Sequence, residues 1–233
     1  MNKNKLKIND LKYYLPMLAA FVLILTLGII NEQAFIKMLP AFVTLGVNVL
    51  TARVNRIAFL VGASNCVIYS IGYYQEGLYG SMGSALLYSM PLQIVSYFNW
   101  KKNKRGKARN IKVLSFRGRA AVISSVVCCS MIASFILSKM NGSSNFYLDG
   151  TLFVLGLCAT IFIMLGYIEG VIVNVVSVFL GVVMWGTIVL SGKTENITYV
   201  VLQLYNFYMT LLTLINWIKL YKKQRAEIKG ETI

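Results

Sequence analysis

Again and again along this chain an apolar run reaches the length needed to cross a lipid bilayer, and that spacing leaves few folds open. A span needs about 20 mostly apolar residues, because the hydrocarbon core is about 30 Å thick. Eight runs meet or approach that length. They are Pro16–Ile30, Ala34–Ala52, Ile57–Tyr74, Leu78–Trp100, Ala120–Leu137, Thr151–Tyr167, Val171–Leu190 and Ile197–Leu220. The pattern predicts an all-α membrane protein of about eight transmembrane helices. The break between the sixth and seventh runs is the shortest, and we place it at Glu169 and Gly170.

Composition agrees with a chain solvated by lipid. Of 233 residues 57% are hydrophobic and only 13% charged, with mean hydropathy +0.66. A soluble domain of this length could not bury so much apolar surface. The net charge of +15 would fit a nucleic-acid binder, but the basic residues are placed as topology signals. With the N-terminus in the cytoplasm and the spans alternating, every Lys and Arg falls inside except Lys37, Lys139 and Lys193. Eight spans with both termini cytoplasmic, in the cell membrane, satisfy this rule; seven do not. The stretch from Lys101 to Arg119 then reads first as a topogenic cytoplasmic loop, with a nucleic-acid or anionic-lipid site as the alternative. The polar opening, with no small-residue cleavage site after the first run, predicts no cleaved leader.

An internal repeat is legible. Runs two to four end in Asn99-Trp100-Lys101, and runs six to eight in Asn216-Trp217-Ile218-Lys219. Twelve residues before each Trp stands a Tyr, Tyr88 and Tyr205. The middle run of each triplet carries an Asn, Asn65 and Asn174. Two triplets separated by one helix enter from the same side, which makes a parallel repeat. Such duplications place a substrate site at the repeat interface in transporters. Trp100 and Trp217 read mainly as interfacial anchors, with the following Lys snorkelling to water. The expected layout is a cytoplasmic N-terminus and extra helix (1–33), a first three-helix repeat (34–100) and the basic loop (101–119). A connector helix with an external loop (120–150), a second repeat (151–220) and a cytoplasmic tail (221–233) follow.

Polar groups at membrane depth must find partners or line a cavity. Here they are amides and aromatics: Asn48, Asn65, Gln93, Asn174, Gln203 and Asn206, with Tyr69, Tyr88, Tyr97, Tyr205 and Trp185. No charge lies near a span centre, and the eight acids sit at span ends or outside. A coupled pump usually carries a buried carboxylate, so downhill transport is the simpler expectation. A phosphorylated substrate would lack a counter-ion. Amides read a carboxamide or ribose hydroxyls, and aromatic faces attract a flat or cationic ring. Without histidine, His-based triads and zinc-protease motifs are excluded, and without a Walker motif so is ATP hydrolysis. The four cysteines all lie in apolar runs with no CxxC pair, so no metal, disulfide or cofactor is expected, and Cys128 and Cys129 read as small packing residues.

The segment Gly77-Leu78-Tyr79-Gly80 through Met90-Pro91-Leu92-Gln93 to Tyr97-Phe98-Asn99-Trp100 resembles the PnuC family of nicotinamide riboside transporters. Gly62-Ala63-Ser64-Asn65 to Tyr69, Asn174-Val175-Val176-Ser177 and Ile215-Asn216-Trp217 are similar to further family segments, and the likeness covers about residues 35–222. It implies a three-plus-one-plus-three parallel repeat laid out like the SWEET sugar carriers. It also implies facilitated diffusion of a vitamin, trapped by a cytoplasmic kinase, and a homotrimer. The chain departs from the family where Tyr97 replaces one Trp and where Gly181 stands in place of another, with Trp185 one turn further on. The basic pair usual before the seventh span is missing. We expect a carrier of nicotinamide riboside in which Gln93, Asn65, Asn174 and Asn206 supply hydrogen bonds and Tyr97, Tyr88, Tyr69 and Trp185 supply ring faces. The alternatives are a carrier of thiamine, riboflavin or a deoxynucleoside, and a non-transporting protein whose amides only join helices. A reporter fused after Lys107 should report cytoplasm and one at Gly142 the outside; both on one side would contradict the eight-span topology.

Overall fold

A computed structural model describes residues 3–33, 35–75, 85–102, 104–105, 108–139, 146–192, 194 and 197–229. Among them lie eight α-helices: α1 (Lys3–Ile30), α2 (Phe35–Ala52), α3 (Ile57–Gln75), α4 (Met90–Lys102), α5 (Phe116–Ser138), α6 (Phe146–Leu165), α7 (Ile168–Leu190) and α8 (Ile197–Lys229). One π-helical turn, Ala85–Ser89, leads into α4. A two-residue hairpin pairs Lys104–Arg105 with Ala108–Arg109. Five helices contain apolar stretches long enough to cross a membrane: Leu11–Ile30, Phe116–Ile136, Phe146–Leu165, Ile168–Leu190 and Ile197–Glu227. Helices α2 and α3 carry shorter ones, Met38–Ala52 and Ile57–Ile71. The first half of the expected fourth span, with Gly77-Leu78-Tyr79-Gly80, lies outside the described residues.

Several boundaries differ from expectation, and α1 already begins at Lys3, well before Pro16. The chain turns at Gly166 and Tyr167, before Glu169 and Gly170, both of which are buried in the first turn of α7. Gly166 has φ +84°, a left-handed conformation that glycine adopts without penalty and that ends helices readily. Helix α8 runs well past Leu220, to Lys229, so the expected tail continues the last helix.

Helix contacts run α2–α3–α4–α6–α7–α8 and back to α2, which closes a six-helix ring. Helix α1 flanks it against α2 and α8, and α5 against α6. Lipid solvates the outer faces, as the many exposed large apolar residues require: Leu15, Leu18, Ile123, Phe135 and Phe179 are examples. Cys128 and Cys129 also lie exposed on α5 rather than packed.

At the end of the bundle that carries the basic loop, the two Asn-Trp pairs do something other than anchor. Trp100 and Trp217 are 4% and 0% exposed, and their rings meet at 5.6 Å. They are core residues, packed with Ile111, Ile168 and Val171. The preceding amides reach across the ring. Asn99 Nδ2 donates to Met164 O of α6 (2.8 Å), and Asn216 Nδ2 donates to Ala52 O of α2 (2.6 Å). Each amide thus satisfies a carbonyl in the last turn of a helix, where no intrahelical donor remains. Trp100 Nε1 adds a bond to Ile163 O at 3.2 Å, and Asn216 also donates to the Tyr13 hydroxyl of α1 at 2.8 Å.

The helices so capped end alike. In α6 Tyr167 N donates to Phe162 O around Gly166; in α2 Asn55 N donates to Leu50 O around Val54. Val54 has φ +56°, an outlying conformation for a β-branched side chain. The segment leaving the basic loop is stitched to the α6–α7 turn. Lys112 N donates to Gly166 O, Ile168 N to Lys112 O, and Leu114 N to Glu169 Oε1.

Candidate functional site

A band of amides and aromatics crosses the ring from α4 to α7. It begins where Gln93 of α4 lies over Gly62 of α3. A Cβ at position 62 would collide with the Gln93 carboxamide, so the glycine makes room for it. Gln93 Nε2 donates to Cys66 Sγ at 3.3 Å, a weak bond, since sulfur is a poor acceptor.

Next on α3 comes Asn65, 5% exposed. Its Nδ2 donates to Pro40 O (3.1 Å) and Thr44 Oγ1 (2.9 Å) on α2. Its Oδ1 is buried with no partner among the described residues. The Tyr69 hydroxyl, one turn on, lies 3.4 Å from the same Thr44 hydroxyl. The next turn of that α2 face carries Asn48, whose Nδ2 donates to Asn206 Oδ1 of α8 at 2.5 Å. Asn206 in turn donates to Gln203 Oε1 at 3.1 Å. The Gln203 carboxamide occupies the space in front of Gly181 of α7, where an added Cβ would lie 3.1 Å from Nε2. One turn from each, Trp185 and Tyr199 stack at 4.5 Å and 18°. Asn174 is half-buried on α7, two turns before Gly181 on the same helical face.

Of the residues expected from sequence, Gln93, Asn65, Tyr69, Asn206 and Trp185 fall in this band, and Asn174 on its extension. Tyr97 lies apart from it, and Tyr88 at its edge, near Cys66. The Tyr97 ring lies under the Arg56 guanidinium at 5.1 Å, at the start of α3. Tyr88 meets Phe153 of α6 edge-on at 5.6 Å. Thr44, Cys66 and Tyr199 went unsingled in the sequence, because a hydroxyl, a thiol and a Tyr inside an apolar run look like packing. The departure at Gly181 has a physical reason: the Gln203 amide fills the place a bulky side chain would take.

These amides divide by engagement. Asn65, Asn48 and Asn206 join helices. Among the described residues Gln93 has only a thiol for its amide N–H, and Asn65 retains an enclosed acceptor. Among the described residues no Lys or Arg belongs to the band, and no group of His, Cys, Asp or Glu is arranged to hold a metal ion.

A family model described as "Nicotinamide mononucleotide transporter" matches residues 34–219. The chain belongs to this family. It is therefore a multi-pass membrane protein of a transporter family, not an enzyme. The chain is 25% identical over 182 residues to the nicotinamide riboside transporter PnuC of Neisseria mucosa, a match covering 72% of this chain and 66%, just under two thirds, of that protein. In fold it is similar to the crystal structure of the vitamin B3 transporter PnuC, with a TM-score of 0.74 at 20% identity, over 91% of this chain and 92% of that one.

The division between engaged and available amides has a direct test. Asn65→Ala removes two bonds to α2 and should lower stability by about 1–3 kcal/mol. Gln93→Ala, giving up one weak contact, should leave the melting temperature of detergent-solubilised protein close to wild type. Equal losses in the two variants would show that Gln93 is structural as well.

Proposed function

We propose that this chain carries nicotinamide riboside across the cell membrane by facilitated diffusion, with the amide–aromatic band as its substrate site. The observation that carries the reading is that band: polar, uncharged, and contributed by both halves of the ring. Nicotinamide riboside offers a carboxamide and ribose hydroxyls to amides, and a cationic pyridinium to ring faces. Gln93 is the first choice for reading the carboxamide. The unpaired Asn65 Oδ1 suits a donor on the ligand, and the Trp185–Tyr199 pair offers π surface beside them.

The family model is named for the mononucleotide and the Neisseria relative for the riboside. The side chains favour the riboside. A phosphate drawn into this band would meet no counter-ion, and burying it unpaired costs several kcal/mol. Uptake is then made one-way by phosphorylation in the cytoplasm, after which the product no longer fits.

The architecture we propose is an extra helix followed by a three-plus-one-plus-three parallel repeat, with both termini and the basic loop cytoplasmic. The matched contacts of Asn99 and Asn216 support it: each reaches from the third helix of one triplet to the last turn of the first helix in the other. Not every polar residue in the band reads substrate. Those that tie α2 to α3 and α8 hold the helices while Gln93 and its neighbours remain available.

Calorimetry on purified protein should find binding of nicotinamide riboside and none of its 5′-phosphate. Gln93→Ala should weaken riboside binding by about 1–3 kcal/mol, roughly 5- to 150-fold. Equal affinity for riboside and phosphate would overturn the substrate assignment, and unchanged affinity in the variant would remove Gln93 from the site.

A further inference from the structure

Outside the ring, a groove of about 720 Å³ opens between α5, the start of α7 and the far part of α8, at the end of the bundle that carries the basic loop. Its two zones differ in chemistry. The floor and walls are apolar, with Ile123 of α5, Ile172 of α7 and Ile218 of α8 all lining it. These three are 64%, 46% and 37% exposed, so the described residues leave them partly open. The rim is cationic: Arg119, Lys222 and Arg225 line the same groove from two different elements.

One acid belongs to the lining, and it is already neutralised. Glu169 is 8% exposed; its Oε1 accepts from Arg119 Nε at 2.9 Å and from Leu114 N at 3.1 Å. Arg119 is nevertheless half open, with its side chain 52% exposed. Fixed through Nε, the guanidinium has two terminal nitrogens with no acceptor among the described residues. Among the described residues Arg225 is anchored only by a 3.5 Å contact to the Tyr221 hydroxyl, and Lys222 is exposed.

We propose that this groove binds an anionic glycerophospholipid of the adjoining leaflet, with its phosphate on Arg119, Lys222 and Arg225 and an acyl chain along Ile123, Ile172 and Ile218. Three arguments favour that occupant. The chain is a membrane protein, so the medium beside these apolar walls is lipid. The cations stand together at one end of the walls, as the headgroup of a lipid stands to its tail. Among the described residues that line it, the rim carries no uncompensated negative charge, so an anionic headgroup is preferred to a zwitterionic one. A lipid seated there would brace α5 against α7 and α8, whose other link in this region is the Arg119–Glu169 pair. The inference does not depend on which substrate the ring carries.

The test is lipid binding by native mass spectrometry and melting temperature on delipidated full-length protein. The probes are phosphatidylglycerol, phosphatidylcholine and inorganic phosphate, applied to wild type and to Lys222→Gln with Arg225→Gln. Those two side chains are exposed and outside the Arg119–Glu169 pair, so the variant should fold as wild type does; its melting temperature without lipid checks this. Phosphatidylglycerol should bind and stabilise in preference to phosphatidylcholine. The variant should lose about fivefold in affinity per cation removed, following the roughly 1 kcal/mol that each basic residue near a membrane surface contributes. Equal binding of the two lipids, or undiminished preference in the variant, would overturn the proposal. A shift reproduced by inorganic phosphate alone would also overturn it, by showing that the acyl groove is not part of the site.

Discussion

Two amide side chains that cross the bundle to reach the last carbonyls of opposite helices are the contacts on which the closed ring depends. A helix end leaves carbonyls without intrahelical donors, and a low-dielectric surrounding makes each orphan costly. Asn99 and Asn216 supply those donors from the other half of the molecule. The satisfaction of α2 therefore requires α8, and that of α6 requires α4. The two Trp rings follow from the same constraint: once the amides pull the helix ends together, Trp100 and Trp217 fill the space between them. The loop from the hairpin to α5 then threads onto the α6–α7 turn, and Ile111 N donates to Gln224 Oε1 of the long last helix.

A bundle fastened at one end can leave its middle polar. Inside it, Asn48 and Asn65 donate to neighbouring helices and Asn206 accepts from one, whereas among the described residues Gln93 is held only by a thiol. That division lets one class of side chain serve both as connector and as reader. The connectors set where the helices stand; glycines at 62 and 181 open the gaps into which the Gln93 and Gln203 carboxamides project.

Much of this was legible in the residues. Apolar run length gave the helices, and the ordered Asn, Tyr and Trp positions pointed to two related halves. Other features were hidden for physical reasons. A Trp at a helix end reads as an interfacial anchor because sequence shows depth along the membrane but not which way a side chain faces; Trp100 and Trp217 face inward. The break before α7 was placed at Glu169 because charge marks the end of an apolar run, yet the backbone turns at Gly166 and the carboxylate is buried against Arg119. Tyr97 shares a helix face with Gln93, but it stands one turn further along α4, toward the start of α3, and there Arg56 takes the ring. Residues at the groove between α5 and α8 come from three separate segments, so no local pattern could gather them.

The most direct test of the substrate site uses Cys66, the thiol that Gln93 contacts at 3.3 Å inside the band. With Cys128, Cys129 and Cys158 replaced by serine, Cys66 is the single thiol in the chain. Its alkylation rate by a small maleimide can be followed by mass spectrometry with and without saturating nicotinamide riboside. A ligand bound across Gln93 and Asn65 covers this sulfur, so the account predicts that riboside slows labelling while the 5′-phosphate at equal concentration does not. Equal labelling rates in the presence and absence of bound riboside would contradict it.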